Sequence, residues 1–296
     1  MAVTSVVALL GAFSVGSAAT ADENESNAYL LKPEAREELI AFVDEARDFV
    51  VEQGKDKALQ IFNDPKGKFV RGEHYIIAYD FNGTCLAHPY EPKMIGANVL
   101  NVTDSNGVAL KRNMREVAKR GSGFTYYIWP DPAHSNAEEL KLTYVLKVDE
   151  GLWLGAGTYL IGQAPIFSNE SREDLVAFVE GARDFALNTT KDVALKTFND
   201  INGKFVEGNL YIFATDSAGN TLALPNEPDL VGKNRIDIKD PNGVDINRDM
   251  IALAQSGGGF IYYIYLDPAR NMTPGLKLSY ITKVDDTWWL GAGVYA

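Results

Sequence analysis

Trp153-Leu154-Gly155-Ala156-Gly157 near the middle of the chain recurs as Trp289-Leu290-Gly291-Ala292-Gly293 near its end, and this pair decides the architecture. Working outward, Asn106-Gly107-Val108 recurs as Asn242-Gly243-Val244, and Gly67-Lys68-Phe69-Val70 as Gly203-Lys204-Phe205-Val206. Every pair is separated by 136 residues, so no insertion or deletion divides the copies. A period this long marks duplicated domains, because solenoid repeats run to about 20–50 residues. The length of 296 residues and 46% hydrophobic content suit two packed domains. They are expected over 33–160 and 169–296, with 161–168 as a linker that Pro165 keeps out of either element.

Each copy opens with a helical stripe. Leu39, Phe42, Val43, Ala46, Phe49 and Val50 fall at helical spacing, and Leu175, Phe178, Val179, Ala182, Phe185 and Ala186 repeat them. The pattern continues less cleanly to Phe62 and Phe198. The period then changes: Tyr75–Tyr79 reads as a strand turning through Asp80-Phe81-Asn82-Gly83 into 84–87, a hairpin. A short helix near 113–119 and strands over 124–129, 140–147 and 152–159 follow. Strands in succession without crossover helices give an α+β fold, with a long N-terminal helix on an antiparallel sheet.

The ends and the bulk composition bound the function. Residues 1–21 carry no charge, hold an apolar run from Val6 to Phe13, and end Ala19-Thr20-Ala21 before acidic Asp22-Glu23. This reads as a secretory signal peptide, despite lacking a basic residue before the apolar run, or as a retained N-terminal segment. The expected location is extracytoplasmic: secreted, periplasmic or at the cell surface. A net charge of −12 makes nucleic acid and anionic lipid poor partners. One cysteine, Cys85, permits no internal disulfide, and the three histidines make no metal-ligand pattern by spacing.

The series Tyr79-Asp80-Phe81-Asn82-Gly83-Thr84-Cys85-Leu86-Ala87-His88-Pro89, Ile95-Gly96-Ala97-Asn98, Gly121-Ser122-Gly123-Phe124, Tyr127-Ile128-Trp129-Pro130, Lys141-Leu142-Thr143-Tyr144 and 153–159 resembles the single Cache domain of the second type. The resemblance covers roughly 35–160 and 171–296. It implies two PAS-like extracytoplasmic sensor modules, each enclosing a pocket for a small ligand, often a short organic acid. The family's domains sit on chemoreceptors or histidine kinases. This sequence carries no transmembrane or kinase segment after Ala296, so a membrane receptor or kinase is an expected partner.

A carboxylate in a partly dry pocket needs charged or hydroxyl donors and an aromatic wall. The first-copy candidates are Tyr75, His88, Tyr127, Trp129, Lys141 and Tyr144; those of the second are Tyr211, Tyr263, Tyr265, Lys277 and Tyr280. Each has a plainer reading: strand aromatics commonly pack in cores, lysines commonly face water, and His88 can be a turn residue. Lys141 and Tyr144 cannot share a face of a regular strand. The second copy replaces His88 by Leu224, His74 by Leu210 and Trp129 by Tyr265. Losing donors weakens an anion site. The expectation is therefore that the first copy binds the acid, while the second binds something less polar or supports the structure.

No cofactor or metal is expected. Asp104-Ser105-Asn106-Gly107 and Asp240-Pro241-Asn242-Gly243 lack the further carboxylates of a calcium loop and read as Asx turns. Gly155-Ala156-Gly157 lies in a strand and is not a dinucleotide fingerprint, and no nucleophile and base pair can be named, so the protein is not expected to be an enzyme. Sequons such as Asn101-Val102-Thr103 are compatible with export. The reading is an exported binding or sensing protein for short organic acids. Its rival is a surface-layer or filament protein that self-assembles and reuses the fold.

Overall fold

The computed structural model describes residues 29–160 and 164–296. The proposed signal segment lies outside them, as does part of the proposed linker. In the first module, α1 (Pro33–Gln53) and α2 (Lys55–Phe62) precede β1 (Val70–Arg71), β2 (His74–Tyr75), β3 (Ile77–Tyr79) and β4 (Cys85–Ala87). Then come α3 (Leu110–Lys119), β5 (Ser122–Asp131), β6 (Ala137–Asp149) and β7 (Leu152–Tyr159). The second module repeats this as α4 (Asn169–Leu187), α5 (Lys191–Phe198), β8 (Val206–Glu207), β9 (Leu210–Tyr211), β10 (Phe213–Asp216), β11 (Thr221–Ala223), α6 (Ile246–Gln255), β12 (Gly259–Asp267), β13 (Thr273–Lys283) and β14 (Trp288–Tyr295).

Each main sheet is antiparallel with five strands, ordered β4-β3-β7-β6-β5 and β11-β10-β14-β13-β12, which makes the α+β fold. Two elements are broken where the sequence reading has them continuous. The helical stripe ending at Phe62 is two helices, because Gly54 adopts φ 82° and turns the chain between α1 and α2. The strand expected over Tyr75–Tyr79 is also split. His74 and Tyr75 pair with the β1 ribbon, while Ile77–Tyr79 join the main sheet against β7.

Strand alternation sorts the side chains into two layers. Phe124, Tyr126, Ile128, Leu142, Tyr144 and Leu154 pack against the α1 stripe of Leu39, Phe42, Val43 and Ala46. On the other face Tyr75, Ile77, Tyr79, Tyr127, Val145 and Trp153 pack under α3 through Leu110, Met114 and Val117. The second face, between sheet and α3, is where a site can form. Tyr211, Tyr263 and Trp289 under α6 repeat it.

The modules share a core: Val244, Tyr262, Ile264, Leu276 and Leu278 belong to the same buried cluster as α1. The two Asx loops hold this interface. Asp104 Oδ1 accepts from the N–H groups of Asn106 and Val108, each at 3.0 Å, and Asp240 Oδ1 does the same for Asn242 and Val244 at 2.9 and 3.0 Å. Each loop then reaches the other module. Asn106 Nδ2 donates to the Tyr262 hydroxyl and Asn242 Nδ2 to the Tyr126 hydroxyl, both at 2.8 Å.

Candidate ligand-binding site

In the first module β5 and β6 bring Tyr127 and Lys141 opposite each other in register, and β2 supplies Tyr75. Lys141 is 1% exposed, its ammonium 3.9 Å from the Tyr75 ring centre and 4.3 Å from that of Tyr159. Around it Tyr75 and His88 lie 5.4 Å apart between ring centres, His88 and Trp129 5.9 Å, and Tyr127 and Trp129 6.3 Å. Five of the six first-module candidates thus converge. Tyr144 does not: three residues beyond Lys141, it points to the opposite face and packs in a tilted arrangement against Phe124, with ring centres 5.0 Å apart. Tyr280 fails to join the second site for the same reason, packing on Phe260 at 5.2 Å with its hydroxyl donating to Glu180.

His88 is fixed as a neutral ring. Its Nδ1 accepts from the Glu91 N–H at 3.2 Å, which puts the proton on Nε2. Burial, assisted by the nearby charges of Lys111 and Lys141, pushes its pKa down to about 2. It therefore offers a pocket one neutral N–H donor.

Sequence reasoning missed Lys111. This residue is 1% exposed and lies over the rings of Tyr79, Tyr127 and Trp129 at 4.8, 5.4 and 5.1 Å. Burial brings its pKa down to about 7, and burial with Lys111 as neighbour holds Lys141 well below the ordinary lysine range. Among the described residues neither ammonium is paired with a carboxylate. The helix expected near 113 begins three residues earlier, at Leu110, and the missing turn hid the lysine. A helical stripe through 111, 114 and 118 was the available signal.

The second module holds a partly open pocket of about 40 Å³ lined by Tyr211, Tyr263, Tyr265, Lys277, Arg235 and Asn247, among others. Lys277 is 1% exposed and donates to the Tyr211 hydroxyl at 3.0 Å. Arg235 donates to the Tyr265 hydroxyl at 3.1 Å, and that hydroxyl donates in turn to Glu227 at 2.7 Å. Across the repeat Lys111 corresponds to Asn247, while Arg235 stands where the first module has Val99. The second site therefore loses one cation and gains another, a change not foreseen from Leu224 and Tyr265. Val99 replaced by arginine at the fixed offset was the sequence signal for it.

One glycine of the opening motif makes room for each lysine. A Cβ on Gly157 would meet the Thr143 hydroxyl oxygen, Leu142 O at 2.7 Å and Lys141 Cε at 2.8 Å. A Cβ on Gly293 would meet the Ser279 hydroxyl oxygen, Leu278 O at 2.8 Å and Lys277 Cε at 2.9 Å. Only a residue without a side chain lets the lysine stem cross β7 or β14 here.

Buried cationic and aromatic groups on a helix-covered antiparallel sheet define an α+β domain with a candidate ligand-binding face in each module. The chain belongs to the Cache domain family, whose model matches residues 52–296. A segment of 86 residues, 29% of this chain, is 34% identical to the sensor histidine kinase MctS of Rhizobium johnstonii and spans 18% of that kinase. Solved structures similar to it include a methyl-accepting chemotaxis protein from Vibrio parahaemolyticus, at 25% identity over 48% of this chain and 95% of that one (TM-score 0.39). Another is the ligand-binding domain of the Pseudomonas fluorescens chemoreceptor CtaA with L-isoleucine, at 11% identity over 94% and 91% (TM-score 0.29). A Cache chemosensory domain described for carboxylic acid recognition matches at 20% identity over 49% and 100% (TM-score 0.36). Among the described residues no helix is long and apolar enough to cross a membrane.

Proposed function

We propose that the chain is an extracytoplasmic, non-catalytic binding protein for short organic acids, with a carboxylate seat in each module. The observation that carries this reading is the pair of equivalent lysines, Lys141 and Lys277, each 1% exposed in a tyrosine-lined space without a carboxylate partner among the described residues. Burying an ammonium is costly unless a counter-charge compensates it, and a bound carboxylate supplies that charge. Tyr75, His88, Tyr127 and Trp129 wall the first seat, with Lys111 as a second cation. Tyr211, Tyr263, Tyr265 and Arg235 wall the second.

The liganded form acts on a membrane receptor or kinase partner. Such a role suits two modules whose cores are continuous, because a change at one pocket reaches the shared interface through β5 or β12. Tyr127 and Trp129 alternate along β5 with Tyr126 and Ile128, and the latter pair faces the shared core.

Titration calorimetry of the full chain with acetate, propionate, lactate and pyruvate tests the reading. Saturable binding of at least one acid is expected, weakened about 10- to 100-fold by Lys277→Met or Lys141→Met according to the module that holds it, as befits a lost charge-assisted hydrogen bond. Heat signals that never saturate, or binding that survives in the Lys141→Met/Lys277→Met double variant, would sink it.

A further inference from the structure

The tip of the β5–β6 hairpin in the first module carries a cluster that the pocket does not use. His134 Nδ1 lies 3.0 Å from Asp131 Oδ2 and 2.8 Å from Glu139 Oε1, and one ligand atom from each side chain falls within 4.8 Å of the others. Both carboxylates are withdrawn from water, with side chains 2% and 10% exposed, while the imidazole is 66% exposed and leaves an open approach. Asp131 is held in place, since its Oδ1 accepts from the Ala133 N–H at 2.8 Å and Oδ2 alone faces the cluster.

The turn does not need this arrangement. In the second module Asp267 Oδ1 accepts from the Ala269 N–H at 2.9 Å in the same way, and Asn271 and Met272 take the left-handed conformation of Ser135 and Asn136. There, however, Arg270 replaces His134 and Gly275 replaces Glu139, and the hairpin closes alike. Arg270 brings its guanidinium to 3.7 Å from Asp267 Oδ2, so that copy carries a fixed cation at the position. The first copy has instead a second buried carboxylate and a neutral-capable ring. The His134 distances are those of hydrogen-bonded ion pairs to Glu139 and Asp131, and donors about 2.1 Å from a tetrahedral ion stand roughly 3.4 Å apart, so an ion taking the place of the shared proton needs a shift of only a few tenths of an ångström.

We propose that Asp131, His134 and Glu139 bind one first-row divalent transition metal of the zinc type, with water completing its shell. One imidazole nitrogen with two carboxylate oxygens suits such an ion better than magnesium or calcium, whose ligands are all oxygen.

Equilibrium dialysis of the full chain against buffered Zn²⁺, with Co²⁺ absorption as a second readout, tests this. One equivalent bound at micromolar or lower concentration is expected, with loss of about 100-fold in His134→Arg, which installs the second module's own residue, and at least about 10-fold in Glu139→Gln. His74→Gln, elsewhere in the module, leaves binding unchanged, and near-ultraviolet circular dichroism checks that each variant is folded. Zn²⁺ affinity no tighter than millimolar, affinity retained in folded His134→Arg, or loss in His74→Gln overturns the proposal. Should His134→Arg misfold, Glu139→Gln decides.

Discussion

The Tyr126 hydroxyl of the first module donates to Asp240 Oδ2 of the second at 2.8 Å and accepts from Asn242 Nδ2 at the same distance. Asp240 is 5% exposed, and the same oxygen takes the Ile264 N–H of its own sheet at 3.2 Å. One phenol thus ties the Asx loop of one module to the edge strand β5 of the other. Tyr126→Phe leaves Asp240 and Asn242 short of partners where water cannot replace them. The expected loss is about 1–3 kcal/mol in urea unfolding, and Tyr262→Phe, which strips Asn106 of its cross-module acceptor, acts in the same direction. A loss below about 0.5 kcal/mol in both variants would contradict this role for the loops.

The pH dependence of the first pocket follows from Lys111, whose pKa burial brings from 10.5 to about 7. Between those values the unfolded chain holds more protons than the folded one, so this group makes stability rise with pH across the window, by at most ~1.4 kcal/mol per unit. Its burial cost is full below about pH 7 and fades toward the ordinary lysine value. Lys141 acts in the same sense. Carboxylate binding favours the ammonium, so above pH 7 it takes up a proton, and affinity in this module falls as pH rises, by at most about tenfold per unit. Calorimetry at pH 8 in buffers of differing ionisation enthalpy measures the uptake. Lys111→Met should remove the part of that uptake that belongs to Lys111, leaving the part carried by Lys141, and raise stability at pH 7. Buffer-independent heats in the wild type would exclude the assignment.

The duplication and the sheet were legible because the offset of 136 never changes and because period two marks strands wherever one face is buried. The same alternation foretold that Lys141 and Tyr144 part company, and they do. Other features were hidden by chain geometry rather than by weak patterning. Gly54 breaks a helix whose apolar stripe runs on across the break, so periodicity alone shows nothing there. Lys111 sits in the first turn of α3, where the apolar stripe has barely begun and a lysine reads as solvent-facing. Arg235 lies outside the named helices and strands, and only position-by-position comparison with Val99 exposes it. The Asx loops were read for their local turns. Their hold on the opposite module depends on partners 156 and 116 residues away, which local patterning does not encode.

The second glycine of the Trp-Leu-Gly-Ala-Gly motif can be tested as a device for seating the lysine. In Gly157→Ala the new methyl meets Leu142 O at 2.7 Å and Lys141 Cε at 2.8 Å, besides the Thr143 hydroxyl. The lysine stem can swing aside, but the carbonyl belongs to the paired strand β6 and cannot move without opening the sheet. Overpacking of this kind costs about 1–3 kcal/mol, and the displaced ammonium leaves its place above Tyr75. Loss of stability and loss of carboxylate binding in the first module should therefore appear together. Thr143→Ala in the same chain removes one of the clashing atoms and should restore part of both. Gly181→Ala in α4, where a Cβ meets nothing within 4 Å, serves as the reference and should stabilise by up to about 1 kcal/mol. A Gly157→Ala protein that is destabilised yet binds with wild-type affinity would show that the glycine serves packing of the sheet alone. Lys141 would then hold its position by other means.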